Sequence, residues 1–197
     1  TINVSSVDFD NTVTITGGLA ADVISLGAQT ATLVMTGALT IDDISGFTTG
    51  TDKVHLDISG FEATGGSIAA ETMDVVDVKG ASIAAGDTVT VSAVGGSINL
   101  DTVTGNILNY TAATIANAAA LETALEGAGT GILTADGALA DNDAFFFMYD
   151  NNSEIVLAIV HIDVAVADNG TVDSVDVADI AVMGVTADLV AGDFAFI

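Results

Sequence analysis

Carboxylates are the side chains in this 197-residue sequence that could act in concert: 27 acids stand against Lys53 and Lys79, with no arginine and no cysteine. Twenty-two of the acids are Asp and five are Glu. Asp favours turns and is a hard oxygen ligand, and Ca2+ takes about six to eight oxygens drawn from carboxylates and backbone carbonyls. Asp-rich turns beside Gly or Asn are therefore candidate Ca2+ sites. Asp8, Asp10 and Asn11 form a D-x-D-N cluster ahead of a strand-like run, and Asp22 follows Gly17-Gly18. Asp42 and Asp43 adjoin a turn, while Asp52 and Asp57 flank the next apolar run. Farther on, Asp168, Asn169, Asp173 and Asp176 read as the back half of an EF-hand-type loop. Gly170 and Val172 fit that loop, but Ala165 and Ala167 occupy its first and third acidic positions. A second reading stays open, in which these are solvated turn residues on an acid-solubilised surface.

Other chemistry is poorly served. No G-x-S-x-G elbow, Walker loop or H-E-x-x-H motif is present, and no catalytic site is expected. His55 and His161 both sit inside strand-like runs and read as ordinary strand positions. A net charge of -25 excludes the basic footprint that nucleic acid needs and disfavours an anionic membrane surface. No stretch has the length and apolarity of a membrane helix, so the chain is not expected to be an integral membrane protein. No basic region followed by an apolar core marks a Sec-type leader. With no Cys there is no disulfide framework.

The elements that must position the acids are short. Runs such as Val13-Thr14-Ile15-Thr16, Thr32-Leu33-Val34-Met35 and Lys53-Val54-His55-Leu56 alternate in period two and are broken by Gly and Asp about every ten residues. That pattern predicts a mainly β fold, a β-roll or solenoid or else a sandwich. One helix is predicted near 111–127, from the spacing of Ile115, Ala118, Leu121 and Leu125, with Thr111 or Thr114 as its cap and Gly127 as its stop. Phe145 to Ile162 predicts a hairpin around the Asp150–Ser153 turn, buried on both faces because both arms are continuously apolar. We divide the chain into a β-roll or sandwich-like domain, 1–110, and a helix-plus-β domain, 111–197.

Three stretches resemble the C-terminal regions of RTX-type proteins exported by bacterial type I secretion, among them calcium-dependent S-layer proteins. Gly17-Gly18-Leu19-Ala20-Ala21-Asp22-Val23-Ile24 is similar to one worn glycine-aspartate nonapeptide, with Ala20 in place of its third glycine. The segment from Ile44 to Phe61 resembles the sequence that follows such repeats. Phe145 to Ile162, Gly184 to Leu189 and Asp193 to Phe196 resemble the family's C-terminal secretion module. The resemblance implies an extracellular or cell-surface location, an uncleaved C-terminal export signal and folding triggered by Ca2+. With only one repeat copy, a long calcium β-roll is not expected. The functional expectation is a non-enzymatic structural protein that self-assembles into a surface layer or filament. Its partner is expected to be a second copy of itself, with cell-surface polysaccharide as a further candidate. The alternative is the export or capping module of a larger type I secreted adhesin, toxin or enzyme.

Overall fold

The computed structural model describes residues 1–5, 12–18, 20–37, 40–64, 73–77, 79–126, 133–135, 137–167 and 170–197. The chain is mainly β. Its first strands are β1 (Ile2–Asn3), β2 (Val13–Thr16), β3 (Val23–Ser25), β4 (Ala31–Met35), β5 (Asp42–Ser45) and β6 (Lys53–Leu56). Odd and even strands belong to different sheets. β1, β3 and β5 pair in parallel, and so do β2, β4 and β6. This is a two-sheet roll: Ile2, Ile24 and Ile44 stack in one wall, and Ile15, Leu33 and Val54 in the other. Alternate residues point inward because the strand repeat is two, and the inward set of both walls merges into one apolar cluster. Glycine is required where successive coils touch at the corners. Gly46, at φ 79°, would place a Cβ 2.6 Å from the Leu26 carbonyl oxygen, and Gly184, at φ 60°, would drive one into the carbonyl of Ile44.

After β6 the chain leaves the roll. It forms α1 (Ile58–Thr64), β7 (Asp74–Val75), β8 (Val91–Val94), β9 (Ile98–Asn99), β10 (Ile107–Tyr110), α2 (Ala118–Leu125) and β11 (Leu133–Thr134). Next come β12 (Asp143–Asp150), β13 (Ile155–Ile162), β14 (Val175–Val182) and β15 (Phe194–Phe196). β14 then lies parallel to β5 while β15 lies parallel to β6, so the C-terminal strands supply the roll's fourth coil. The central sheet runs β1-β3-β5-β14-β13-β12-β10-β8, with β7 also paired to β12, and it crosses residue 110. Of its strands only β13 runs against the others.

Three layers result. The four-stranded sheet β15-β6-β4-β2 covers one face of the central sheet, while α2 and the β11-β9 pair cover the other. The hairpin is buried on both faces, as its sequence predicts. Ala144, Phe146 and Met148 join the first core, while Phe145, Phe147 and Tyr149 join the second. Phe146 meets Phe61 edge-on at 5.2 Å and stacks on Phe196 at 6.0 Å.

The predicted helix is present but shorter. The amide of Ile115 donates to the Asp150 carbonyl at 2.9 Å, stitching that approach to the end of β12. Asn117, rather than Thr111 or Thr114, caps α2 by accepting from the Ala120 amide at 3.0 Å. Gly127 lies outside the described residues. α1 is an additional short helix, started by Asp57, whose Oδ1 accepts from the Gly60 amide at 3.1 Å. Among the described residues no helix is long and apolar enough to cross a membrane.

α2 also closes a sheet edge. The N-terminal half of β14 has β13 on one side and α2 on the other, because β5 reaches only Ala181 and Val182. Glu126 accepts from the Val175 amide, Glu122 accepts from that of Val177, and the Ala118 amide donates to Asp179. Four helical residues rise about 6 Å and two strand residues about 6.6 Å, so carboxylates one helical turn apart match successive outward strand amides.

Candidate functional site

Two of the predicted acids meet. Asp22 and Asp42 lie on successive coils, and the Asp22 amide donates to Asp42 Oδ1 at 2.9 Å. Both carboxylates converge over Gly17: a Cβ there would lie 2.8 Å from Asp42 Oδ2 and 3.7 Å from Asp22 Oδ2. The missing side chain thus leaves a cradle that two acids face. Burial pushes the Asp42 carboxyl above its usual range, the Asp22 amide opposes that, and the Asp22 charge adds to it. A hard cation fits this donor set, since it would cancel the mutual repulsion and accept oxygens from both coils. Asp43 is exposed on β5, with its amide bonded to the Asp22 carbonyl at 2.8 Å.

The other predicted ligands are separate. Asp52 is only 1% exposed and both its oxygens are taken: Oδ1 by the Ala31 amide at 2.8 Å and Oδ2 by the Thr48 amide at 2.7 Å. Asp57 is committed to the start of α1. Asp173 is exposed ahead of β14, and Asp176 sits on β14 opposite His161. Asp8, Asp10, Asn11, Asp168 and Asn169 lie outside the described residues. Among the described residues, no three Asp, Glu or His side chains are grouped to hold a metal ion.

Sequence reasoning passed over Asp193. It is fully buried, accepts from the Gly50 amide at 2.6 Å and closes its own turn on the Val190 amide at 2.9 Å. Asp52 does the same one coil earlier, with one oxygen to the previous coil and the other to its own turn. The shared signal is an Asp set just after a glycine-bearing turn and immediately before a short alternating strand: Gly50-Thr51-Asp52-Lys53-Val54 and Gly192-Asp193-Phe194-Ala195. Lys53 is no counter-charge to these acids; its ammonium donates to the Gly192 carbonyl.

Asp179 was also missed, and His161 lies on a strand, as its sequence context predicts, but is buried there. Asp179 accepts from the Tyr149 hydroxyl at 2.7 Å. Burial raises its carboxyl, against the hydrogen bonds from Tyr149 and Ala118, and burial also pushes the Tyr149 phenol up. His161 is 3% exposed, and neither ring nitrogen finds a partner among the described residues. A buried polar group without a partner costs about 1–3 kcal/mol. His161→Leu is therefore expected to stabilise the chain by about 1–3 kcal/mol in urea unfolding. A loss of stability instead would show that the ring's packing and its attraction to Asp176 and Asp143 outweigh its two unpaired nitrogens.

No protein-family model, curated protein or solved structure matches the chain.

Proposed function

We propose that this chain is a secreted, non-enzymatic structural protein that self-assembles at the cell surface into a layer or filament, with Ca2+ cancelling carboxylates that would otherwise repel. The observation that carries the reading is the pairing of Asp22 and Asp42 over Gly17 across two stacked coils. The Thr1 ammonium stands 3.7 Å from Asp22 Oδ1 and offsets part of that charge, but it is itself exposed, and in a chain of net charge -25 a bound cation between the two acids would relieve the rest. Asp22 and Asp42 are the residues that would hold the ion. Its contribution would be charge neutralisation between coils, and it would stabilise the fold in proportion to its binding. The similarity of residues 17–24 and 44–61 to RTX-type sequences supports export by a type I route.

The test is assembly followed by sedimentation and electron microscopy, in millimolar Ca2+ and in chelator. Assemblies are expected to form with Ca2+ and to dissolve in chelator. Gly17→Ala puts a methyl group into the cradle, and Asp42→Asn removes a charge. Each is expected to raise the Ca2+ concentration for half-assembly by at least ~10-fold, equivalent to about 1.4 kcal/mol. Assemblies that persist in strong chelator would overturn the calcium reading.

One observation favours a second reading, a capping module of a larger type I secreted adhesin, toxin or enzyme. The fourth coil is closed off: β13 flanks β14, and the Gly86 amide bonds the Phe196 carbonyl beside β15 at 2.9 Å. An intact native mass far above 20 kDa would favour it.

A further inference from the structure

The central sheet guards one of its edges and leaves two others bare. Along β14 the exposed amides are covered by α2 and its two glutamates. At the two ends of the sheet, β1 pairs only with β3 and β8 only with β10 among the described residues. The Val4 amide bonds the Ser25 carbonyl, so alternation turns the backbone groups of Asn3 outward. On β8, the carbonyls of Thr90 and Val94 accept from Ile107 and Thr111, which turns the groups of Val91 and Ala93 outward. Unpaired edges of this kind template further strands unless charge, proline or a bulge blocks them. Neither strand carries a charged side chain or a proline, and the one charge at the head of β1, the Thr1 ammonium, is drawn to Asp22 at 3.7 Å. Thr1 to Val7 and Thr88 to Leu100 contain no charged residue, in a chain with 27 acids and no proline. A groove of about 250 Å³ also runs along β8, lined by Ser92, Ala93, Val94, Gly95, Ser97 and Ile98.

Polarity selects the partner. β8, β10, β12, β14, β5, β3 and β1 all run in one direction, so the two bare edges at opposite ends of the sheet point the same way. The β8 edge of one copy can therefore accept β1 of the next in the parallel pairing that each strand already makes within the fold. The contact is heterologous, and repeating it extends the sheet without closing a ring. We propose that copies of this chain join head to tail through parallel β8–β1 pairing, forming one continuous sheet along a filament axis. This rests on the self-assembly reading above and names the surface that carries it; because neither strand bears a carboxylate, the net charge opposes this contact less than it would a contact between acidic faces.

The test uses two substitutions, each removing an outward amide that the fold leaves unused. Ala93→Pro spoils the β8 edge and Asn3→Pro the β1 edge, and proline is tolerated at such edge positions. Wild type is expected to form long species in Ca2+, whereas each variant alone stays monomeric. An equimolar mixture is expected to stop at a dimer, because one intact β8 edge meets one intact β1 edge. Dimerisation of Asn3→Pro alone would instead show symmetric β8–β8 pairing and overturn the head-to-tail arrangement. Filaments from both variants would overturn the edge contact while leaving self-assembly standing. A wild-type chain that never assembles would overturn both. Hydrogen exchange on the wild type needs no variant: the amides of Asn3, Val91 and Ala93 are expected to pass from unprotected in the monomer to protected in the assembly. If they stay unprotected, the pairing is absent.

Discussion

Asp52→Ala is expected to lower the unfolding free energy by about 2–4 kcal/mol. The carboxylate is buried, and its two oxygens serve amides of different coils, Ala31 and Thr48. Truncation leaves the buried Ala31 N–H with no acceptor, costing about 1–3 kcal/mol, and takes a second bond from the more exposed Thr48 N–H, which water can partly replace at about 1 kcal/mol. Asp52→Asn keeps one acceptor in place and sets an amide NH2 against the other donor, so an intermediate loss of about 1–3 kcal/mol is expected. Urea unfolding of the three chains gives the ranking. If Asp52→Ala were within about 0.5 kcal/mol of wild type, the surface-substitution range, the inter-coil stitch would carry no stability.

The second large effect is the response to pH. Asp42, Asp143, Asp176, Asp179 and Glu122 are all held above their ordinary ranges, and in each case burial is the leading cause. Like charges add to it: Asp22 on Asp42, Asp74 on Asp143, Asp163 on Asp176, Glu126 on Glu122. A carboxyl raised in the folded state binds its proton more tightly there than in the unfolded chain. Across a window that opens near the ordinary values, 3.8 for Asp and 4.5 for Glu, and runs upward, the folded state holds more protons. Stability therefore falls as pH rises through that window and recovers as pH is lowered. The melting temperature of the metal-free chain is expected to be higher at about pH 5 than at pH 8, the reverse of the usual loss in acid. Asp42→Asn should flatten the slope, and so should Ca2+. A melting temperature that falls steadily from pH 8 to pH 5 would remove the basis for treating these carboxylates as mutually strained.

Much of the fold was legible because it is written locally. Val13–Thr16 and Lys53–Leu56 alternate as strands do, the apolar stripe from Ile115 to Leu125 marks α2, and the unbroken run at Phe145–Ile162 marks a strand pair buried on both sides. The partners were not legible. Nothing near Phe194 shows that it stacks on Val54, because sheet pairing is decided by the whole chain's packing and not by local propensity. The acids show the same limit. Asp42 and Asp52 both stand at the start of a strand, yet one faces a second carboxylate and the other is consumed by amides. The register of the coil beneath each makes the difference, and that register has no local signature. Glu122 and Glu126 look like the solvated side of an amphipathic helix; their strand-capping role appears only once β14 lies alongside.

The fourth coil sets a condition on how the molecule forms. Residues 53–56 gain their outer neighbour only from residues 194–196, and Asp193 reaches back to Gly50 across 143 positions. Bringing such distant segments together carries a loop-closure cost that nearby pairings escape, so docking of the tail is expected to be slow compared with the pairing of the first three coils. Until the tail arrives, β5 and β6 present unpaired amides to any passing strand. A chain cut short of residue 175 is thus expected to clump rather than merely to be less stable, and the C-terminal stretch doubles as the part that keeps newly made molecules apart.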